Sequence, residues 1–139
     1  MFFDLFKRKK NKEPEITVLS EADRKWNKLW ELWSQEDIDS PYNELMNYHS
    51  EVANGGHYQY FLNTENNGDL NKEIEALRSI LPEVLKDNLQ SAFNAYTELD
   101  NDKNIDSNEK TLKICDNTFW KNEEAINEII KSFSDTGIL

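Results

Sequence analysis

Apolar residues recur at helical spacing along most of the chain after residue 20. Three tryptophans and a leucine stand three or four positions apart there, at Trp26, Leu29, Trp30 and Trp33. This spacing is typical of one face of an α-helix. Ser20 and Asp23 resemble a capping box just before the stripe, so the pattern predicts a helix over about 21–35.

Further apolar stripes at the same spacing follow over 42–53, 70–81, 84–96, 112–115 and 125–133. No segment shows a persuasive alternation of apolar and polar residues, as a half-buried strand would. A chain of 139 residues is typical of one domain. We therefore predict an all-α fold, a compact single domain of six or seven helices.

Two short segments bound the predicted second helix. Ser40-Pro41 is a start signal, because serine caps helices and proline is favoured at the first helical position. Asn54-Gly55-Gly56 predicts the end, because glycine and asparagine tolerate left-handed backbone conformations. The run from His57 to Asn63 is too short for its period to decide, and its helical neighbours favour a short helix over a strand.

Basic and acidic residues are unevenly distributed. The first twelve residues carry five basic side chains against the single acid Asp4. We interpret residues 1–15 as a basic, flexible leader and residues 16–139 as an acidic, all-helical domain. The alternative for the leader is a transient contact of its three phenylalanines and lysines with anionic lipid.

Composition excludes several classes of protein. Leu, Ile, Val and Phe make up 34 of 139 residues, which is enough for a folded core despite the net charge of −11. No apolar run approaches the ~18 residues of a membrane span, and the single cysteine excludes a disulfide framework. The negative charge disfavours direct nucleic-acid binding, since phosphates would be repelled. We expect a cytoplasmic domain without stable membrane association.

One long window contains no lysine or arginine. It lies between Lys28 and Lys72, and its eight acids are our candidates for a partner-binding face. They are Glu31, Glu36, Asp37, Asp39, Glu44, Glu51, Glu65 and Asp69.

The sequence signals for a catalytic or metal site are weak. Asp100, Asp102 and Asn104 imitate the opening of a calcium loop, but Ile105 replaces its glycine and Thr111 its closing glutamate. A loop that links two helices explains these residues better. We expect no metal and no cofactor here.

The two histidines and the cysteine favour structural roles. His49 lies on an apolar helix face, and Cys115 lies in an apolar stripe, as a small hydrophobic residue would. His57 lacks neighbours with the spacing of zinc ligands. We therefore expect no catalytic residue and no enzymatic activity.

One motif carries a resemblance. Its residues are Asn54, Gly55, Gly56, Gln59, Tyr60, Phe61 and Asn63. They resemble the signature of a bacterial domain family of unknown function that is named after a Neisseria DNA-mimic protein. The similarity continues through Phe93 and Tyr96 to Asp116 and Phe119-Trp120, so it covers about residues 40–134.

The motif also has a structural interpretation. The two glycines let the chain reverse, and Tyr60 and Phe61 anchor the segment in the core. Gln59 and Asn63 share a helix face and could bond the exposed backbone of the turn. The alternative is that the motif contacts a ligand.

The resemblance implies an all-α fold and, for the namesake, a dimer that presents carboxylates in place of phosphates. Two functions stay open. One is an acidic protein–protein interaction module, a DNA mimic that sequesters a basic DNA-binding protein. The other is a small helical interaction or immunity-type domain whose acidity serves solubility alone.

Overall fold

The computed structural model describes residues 20–137, and the predicted leader, residues 1–15, lies outside them. The described chain forms six helices: α1 (Glu21–Ser34), α2 (Tyr42–Asn67), α3 (Leu70–Arg78), α4 (Glu83–Asp100), α5 (Ile105–Lys121) and α6 (Glu123–Gly137). None of these residues forms a strand, and the predicted all-α fold is confirmed. Within the same residues, no helix combines the length and hydrophobicity that crossing a bilayer requires.

Helix α1 agrees with its sequence signals. The Ser20 hydroxyl accepts a hydrogen bond from the Asp23 backbone N–H at 3.0 Å, so it satisfies a free donor of the first turn. Leu29 is fully buried, and the tryptophan rings beside it meet edge to face. The Trp33 indole donates to Asn47 Oδ1 at 2.8 Å, which fastens α1 to α2. The apolar stripe is therefore a packing surface.

Helix α2 differs from the prediction at its start. Pro41 is the N-cap residue instead of the first helical residue, its peptide bond with Ser40 is cis, and no side chain caps the helix. The predicted interruption at Asn54-Gly55-Gly56 is present, because Gly56 has a non-helical conformation. The helix resumes directly after Gly56, so the two predicted helices are a first arm (42–55) and a second arm (57–67) of one bent element.

The core lies where α2 packs against α3, α4, α5 and α6. Its largest fully buried side chains come from all of these helices and from α1: Tyr48, Tyr60, Phe61, Phe119, Leu29, Leu45, Met46, Leu77, Leu85, Leu89, Ile126 and Ile130. The bend brings aromatic residues of both arms of α2 together, because the Tyr48 and Tyr60 rings lie 5.2 Å apart. The kink thus joins two segments that both contribute to the aromatic core.

Candidate functional site around the α2 kink

The two glycines at the kink have different surroundings. Gly56 has φ 87° and ψ 175°, a conformation that is essentially restricted to glycine. A β-carbon there would also lie 2.6 Å from Asp116 Oδ2. Gly55 has no such backbone strain, but a β-carbon on it would collide with the side-chain amide of Gln59. One glycine therefore permits the bend, and the other makes room for a side chain.

Asp116 of α5 caps the second arm of α2. Its Oδ1 accepts hydrogen bonds from the His57 backbone N–H at 2.9 Å and from His57 Nδ1 at 2.7 Å. A carboxylate at the start of a helical segment satisfies a free N–H group and interacts favourably with the helix dipole. The kink therefore depends on a residue that lies 59 positions later in the chain.

The His57 ring continues this network into the core. Its side chain is fully buried, and Nε2 lies 2.7 Å from the Tyr48 hydroxyl. Because Nδ1 donates to the carboxylate, neutral Nε2 accepts from the Tyr48 O–H. Burial, together with the nearby Cys115 and Asp116, raises the pKa of Tyr48, which keeps this hydroxyl protonated as a donor. Asp116, His57 and Tyr48 thus form a hydrogen-bonded chain with both ring nitrogens satisfied.

A second polar contact joins the two arms of α2. Glu51 Oε1, in the first arm, accepts from Gln59 Nε2 at 3.1 Å and from Asn63 Nδ2 at 3.0 Å, both in the second arm. The proposal that these amides bond the exposed backbone is wrong. Their partner is a carboxylate, since the bend brings Glu51 alongside the face that Gln59 and Asn63 share.

The aromatic pair of the motif is fully buried. The Tyr60 hydroxyl donates to Glu73 Oε1 of α3 at 3.1 Å, while Phe61 packs on Phe93 and Tyr96 of α4. Burial raises the pKa of Glu73, although the Tyr60 hydrogen bond opposes this shift. Asn54 is exposed.

The remaining titratable candidates take no part in the hydrogen bonds of the kink. His49 Nε2 contacts Glu123 Oε2 of α6 at 3.0 Å, so the two histidines do not share a site. Cys115 is buried, and burial raises the pKa of its thiol to about 11. It remains protonated at neutral pH, as a small core residue would.

The kink opens to solvent through a cleft of about 400 Å³ between α2, α4 and α5, here called the kink groove. Four apolar or aromatic residues line it: Tyr58, Leu99, Ile105 and Leu112. Four charged residues complete the lining: Asp102, Glu109, Lys113 and Asp116. Asp116, with a side chain one-third exposed, connects the groove to the buried His57.

The eight acids of the cation-free window lie on α1, on α2 and in the segments that follow these helices. Four are exposed around the end of α1 and the segment before α2: Glu31, Glu36, Asp37 and Asp39. Glu44 and Glu51 are half-buried on the first arm of α2. Exposed Glu65 lies near the end of the second arm and exposed Asp69 just beyond it, and both line a different cleft together with Asp100 of α4.

The turn between α4 and α5 adds acids that the window omits. Five exposed acids lie there, at Glu98, Asp100, Asp102, Asp106 and Glu109, with Lys103 among them. These acids are also close together in the sequence, between residues 98 and 109. They do not form a lysine-free window, because Lys103 interrupts their run.

The calcium-like segment of this turn is held by its own amides. Glu98 Oε1 accepts from Asn104 Nδ2 at 3.2 Å and from Asn108 Nδ2 at 2.8 Å, and these bonds lower the pKa of Glu98. Asp102 and Asn104 adopt left-handed conformations with φ 57° and 47°. Across residues 20–137, no group of three or more potential ligands is placed to hold a metal ion.

Comparison with known proteins identifies the family. The family described as DMP19-like protein matches residues 42–136, which run from the start of α2 into the last turn of α6. No curated protein and no solved structure matches the chain. The match covers most of the chain and includes the kink, the kink groove and Asp116 but not α1. The chain therefore belongs to the DMP19-like protein family.

Proposed function

We propose that this domain is an acidic protein–protein interaction module of the DNA-mimic type, which occupies a basic DNA-binding protein. The observation that carries the proposal is the uncompensated negative charge of the described surface. Residues 20–137 contain 24 acidic and 11 basic residues, a net charge of −13. Membership of the DMP19-like family supports the same interpretation.

Few of these charges are neutralised by contacts with lysine. Between described residues, the lysine–carboxylate pairs closer than 4 Å are Lys28–Glu31 at 3.8 Å and Lys86–Glu83 at 3.3 Å. Both pairs join neighbours on one helix, and exposed pairs of this kind contribute little free energy. The other exposed carboxylates in this part of the chain can therefore attract a cationic partner.

We propose that a group of exposed acids near the α4–α5 turn takes the place of the phosphates. We call Glu65, Asp69, Glu98, Asp100 and Asp102 the acidic ridge, because Asp100 lines a cleft with the first two and lies beside the last two in sequence. A duplex as long as the ~37 Å diameter of a 139-residue domain carries about 22 charges. The domain can thus imitate one face of a short duplex.

The direct test is a pull-down from the native host at low salt, followed by elution in salt steps. We expect a DNA-binding protein to elute at moderate salt, because screening weakens contacts between exposed charges. The purified partner should then release its DNA when this domain is added. Elution by denaturant alone, or a partner that does not bind DNA, would contradict the proposal.

A double variant makes the test specific to the ridge. Glu65→Gln and Asp100→Asn together remove two charges of the acidic ridge that lie outside the kink groove. The matched control removes two exposed charges elsewhere, with Glu75→Gln and Asp87→Asn. If the ridge binds the partner, the first variant loses affinity and the second retains most of it. Equal losses would mean that total charge, and not the ridge, determines binding.

The apolar side chains on the surface favour a second candidate function. Ile114 and Trp120 of α5 are more than half exposed, at 62% and 51%, and the kink groove exposes Tyr58 and Ile105. A helical interaction domain that binds through such contacts would use its acidity for solubility alone. Its affinity for the partner would barely change with salt, which distinguishes it from the mimic.

We also propose that the domain has no enzymatic activity. The buried His57 has both ring nitrogens occupied, and Cys115 is a buried thiol whose pKa is raised. These groups support a structural role. We further propose a cytoplasmic location, because the domain must share a compartment with its DNA-binding partner.

A further inference from the structure

The kink groove combines two properties that a bare acidic surface lacks. Tyr58 and Ile105 are each 47% exposed, although both have large apolar side chains. Leu99 and Leu112 continue the apolar lining below them. Exposed apolar groups that cluster in a cleft with a polar rim are typical of protein interaction sites.

The rim of the same groove is negative. Asp102, Glu109 and Asp116 surround the apolar lining, against the single cation Lys113. His57 holds Asp116 through two hydrogen bonds, so this carboxylate is in place before a partner arrives. A group positioned in advance loses less conformational entropy on binding.

We propose that the kink groove binds a segment of the protein partner in which arginine or lysine alternates with large apolar side chains. This inference rests on the proposed function, because it takes the partner to be a basic protein. An anion would be repelled by the rim, and a purely cationic segment would leave Tyr58 and Ile105 uncovered. The segment therefore needs both charge and apolar surface.

The lining of the groove matches the two kinds of side chain in this segment. Its apolar side chains cover Ile105, Leu99 and Leu112. Its cations pair with Asp102 and Glu109, and a guanidinium can stack on the exposed ring of Tyr58. The Tyr58 ring is itself supported by Tyr96, with 5.5 Å between the ring centroids.

The test uses a synthetic peptide in which pairs of arginine and leucine alternate, with the full-length protein as receptor. Fluorescence anisotropy measures affinity, and amide shifts in ¹⁵N spectra locate the bound peptide. The largest shifts should fall on residues that line the kink groove. A peptide of equal charge with serine in place of leucine should bind at least roughly fivefold more weakly.

Matched variants separate the groove from the rest of the surface. Ile105→Ser should weaken peptide binding roughly fivefold, because apolar contact area is lost. Val84→Ser should leave binding unchanged, since Val84 is similarly exposed (51%) in the first turn of α4 but lies outside the groove. Glu109→Gln should weaken binding roughly threefold at low salt, while Glu75→Gln on α3 should have no effect.

Three results would overturn the assignment. The first is equal binding of the leucine and serine peptides, and the second is equal affinity of the groove variants and their controls. The third is a dimer in light scattering that Ile105→Ser dissociates, because a second copy would then occupy the groove. None of these depends on whether the domain displaces DNA from a partner, so the groove and the mimic can fail separately.

Discussion

The chain changes direction at the α2 kink and at the α4–α5 turn, and similar side-chain hydrogen bonds hold the two places in different surroundings. At the α2 kink, Glu51 accepts hydrogen bonds from two side-chain amides, and at the α4–α5 turn Glu98 does the same. The kink is packed against α5 and needs glycine at Gly56, whereas the exposed turn adopts left-handed conformations with Asp102 and Asn104. Gly56 has φ 87° and ψ 175°, which only glycine adopts readily, whereas Asp and Asn tolerate the left-handed region. The backbone conformation of each bend therefore sets how strict its residue requirement is, and at the kink the contact with Asp116 adds to it.

The largest expected effect is that of Gly56→Ala. The substitution places a β-carbon in a strained conformation and 2.6 Å from Asp116 Oδ2, so it opposes both the bend and its cap. We expect a loss of about 3 kcal/mol in the free energy of unfolding, measured by urea denaturation.

Gly68→Ala is the matched control for this substitution. Gly68 has an extended backbone with φ −170°, and a β-carbon there would meet Thr64 O at an ordinary 3.6 Å. Its effect should stay within about 0.5 kcal/mol. Similar losses for the two variants would mean that neither the backbone conformation nor the crowding at the kink selects glycine.

Asp116→Ala should have the next largest effect. It removes the cap of the second arm of α2 and leaves the buried Nδ1–H of His57 without an acceptor. The expected loss is about 2 kcal/mol in thermal or urea unfolding, while Asn117→Ala at the exposed neighbouring position should cost little. Equal stability of the two variants would exclude a capping role for Asp116.

Gln59→Ala tests the contact between the two arms of α2. The variant leaves Glu51 with one amide donor in place of two. We expect about 1 kcal/mol of destabilisation and a melting temperature lowered by roughly 4 °C. If stability is unchanged and partner binding is lost, the motif is a binding site and the structural interpretation is wrong.

The smallest expected effects are changes of stability with pH. They have opposite signs at the α4–α5 turn and near the α2 kink. The amides of Asn108 and Asn104 lower the pKa of Glu98, so its stabilising contribution is present above pH ~4.3 and is lost as pH falls through the lowered value. Burial raises the pKa of Glu73 beside the kink residue Tyr60, so stability there declines as pH rises from ~4.3 through the raised value.

Glu98→Gln and Glu73→Gln should therefore change the pH profile of urea unfolding in opposite ways. The first should reduce the loss of stability on acidification, and the second should reduce the loss on raising the pH. Profiles that change in the same direction for both variants would contradict the different origins given for the two pKa shifts.

Much of the fold could be predicted because local patterns determine it. The stripe of Trp26, Trp30 and Trp33 predicted α1 to within one residue, and the predicted family segment 40–134 is close to the matched 42–136. The bend of α2 was not predicted as such. Glycine ends a helix when nothing caps the next segment, and the capping Asp116 is distant in sequence.

The candidate site could likewise be predicted only where local sequence determines it. Tyr60 and Phe61 could be assigned to the core from their apolar character, whereas the Glu51 partner of Gln59 depends on how far the two arms bend. The acidic surface also depends on the fold. The structure brings Asp69 together with Asp100 of α4, which the sequence window between Lys28 and Lys72 does not contain.

The contact between Asp116 and His57 also bears on the order of folding. The α4–α5 hairpin joins residues near in sequence and closes a short loop, so its entropic cost is small. The kink closes a loop of 59 residues, because its cap comes from α5. We therefore expect the α4–α5 hairpin to form first and the second arm of α2 to be locked late, when Asp116 is already in position.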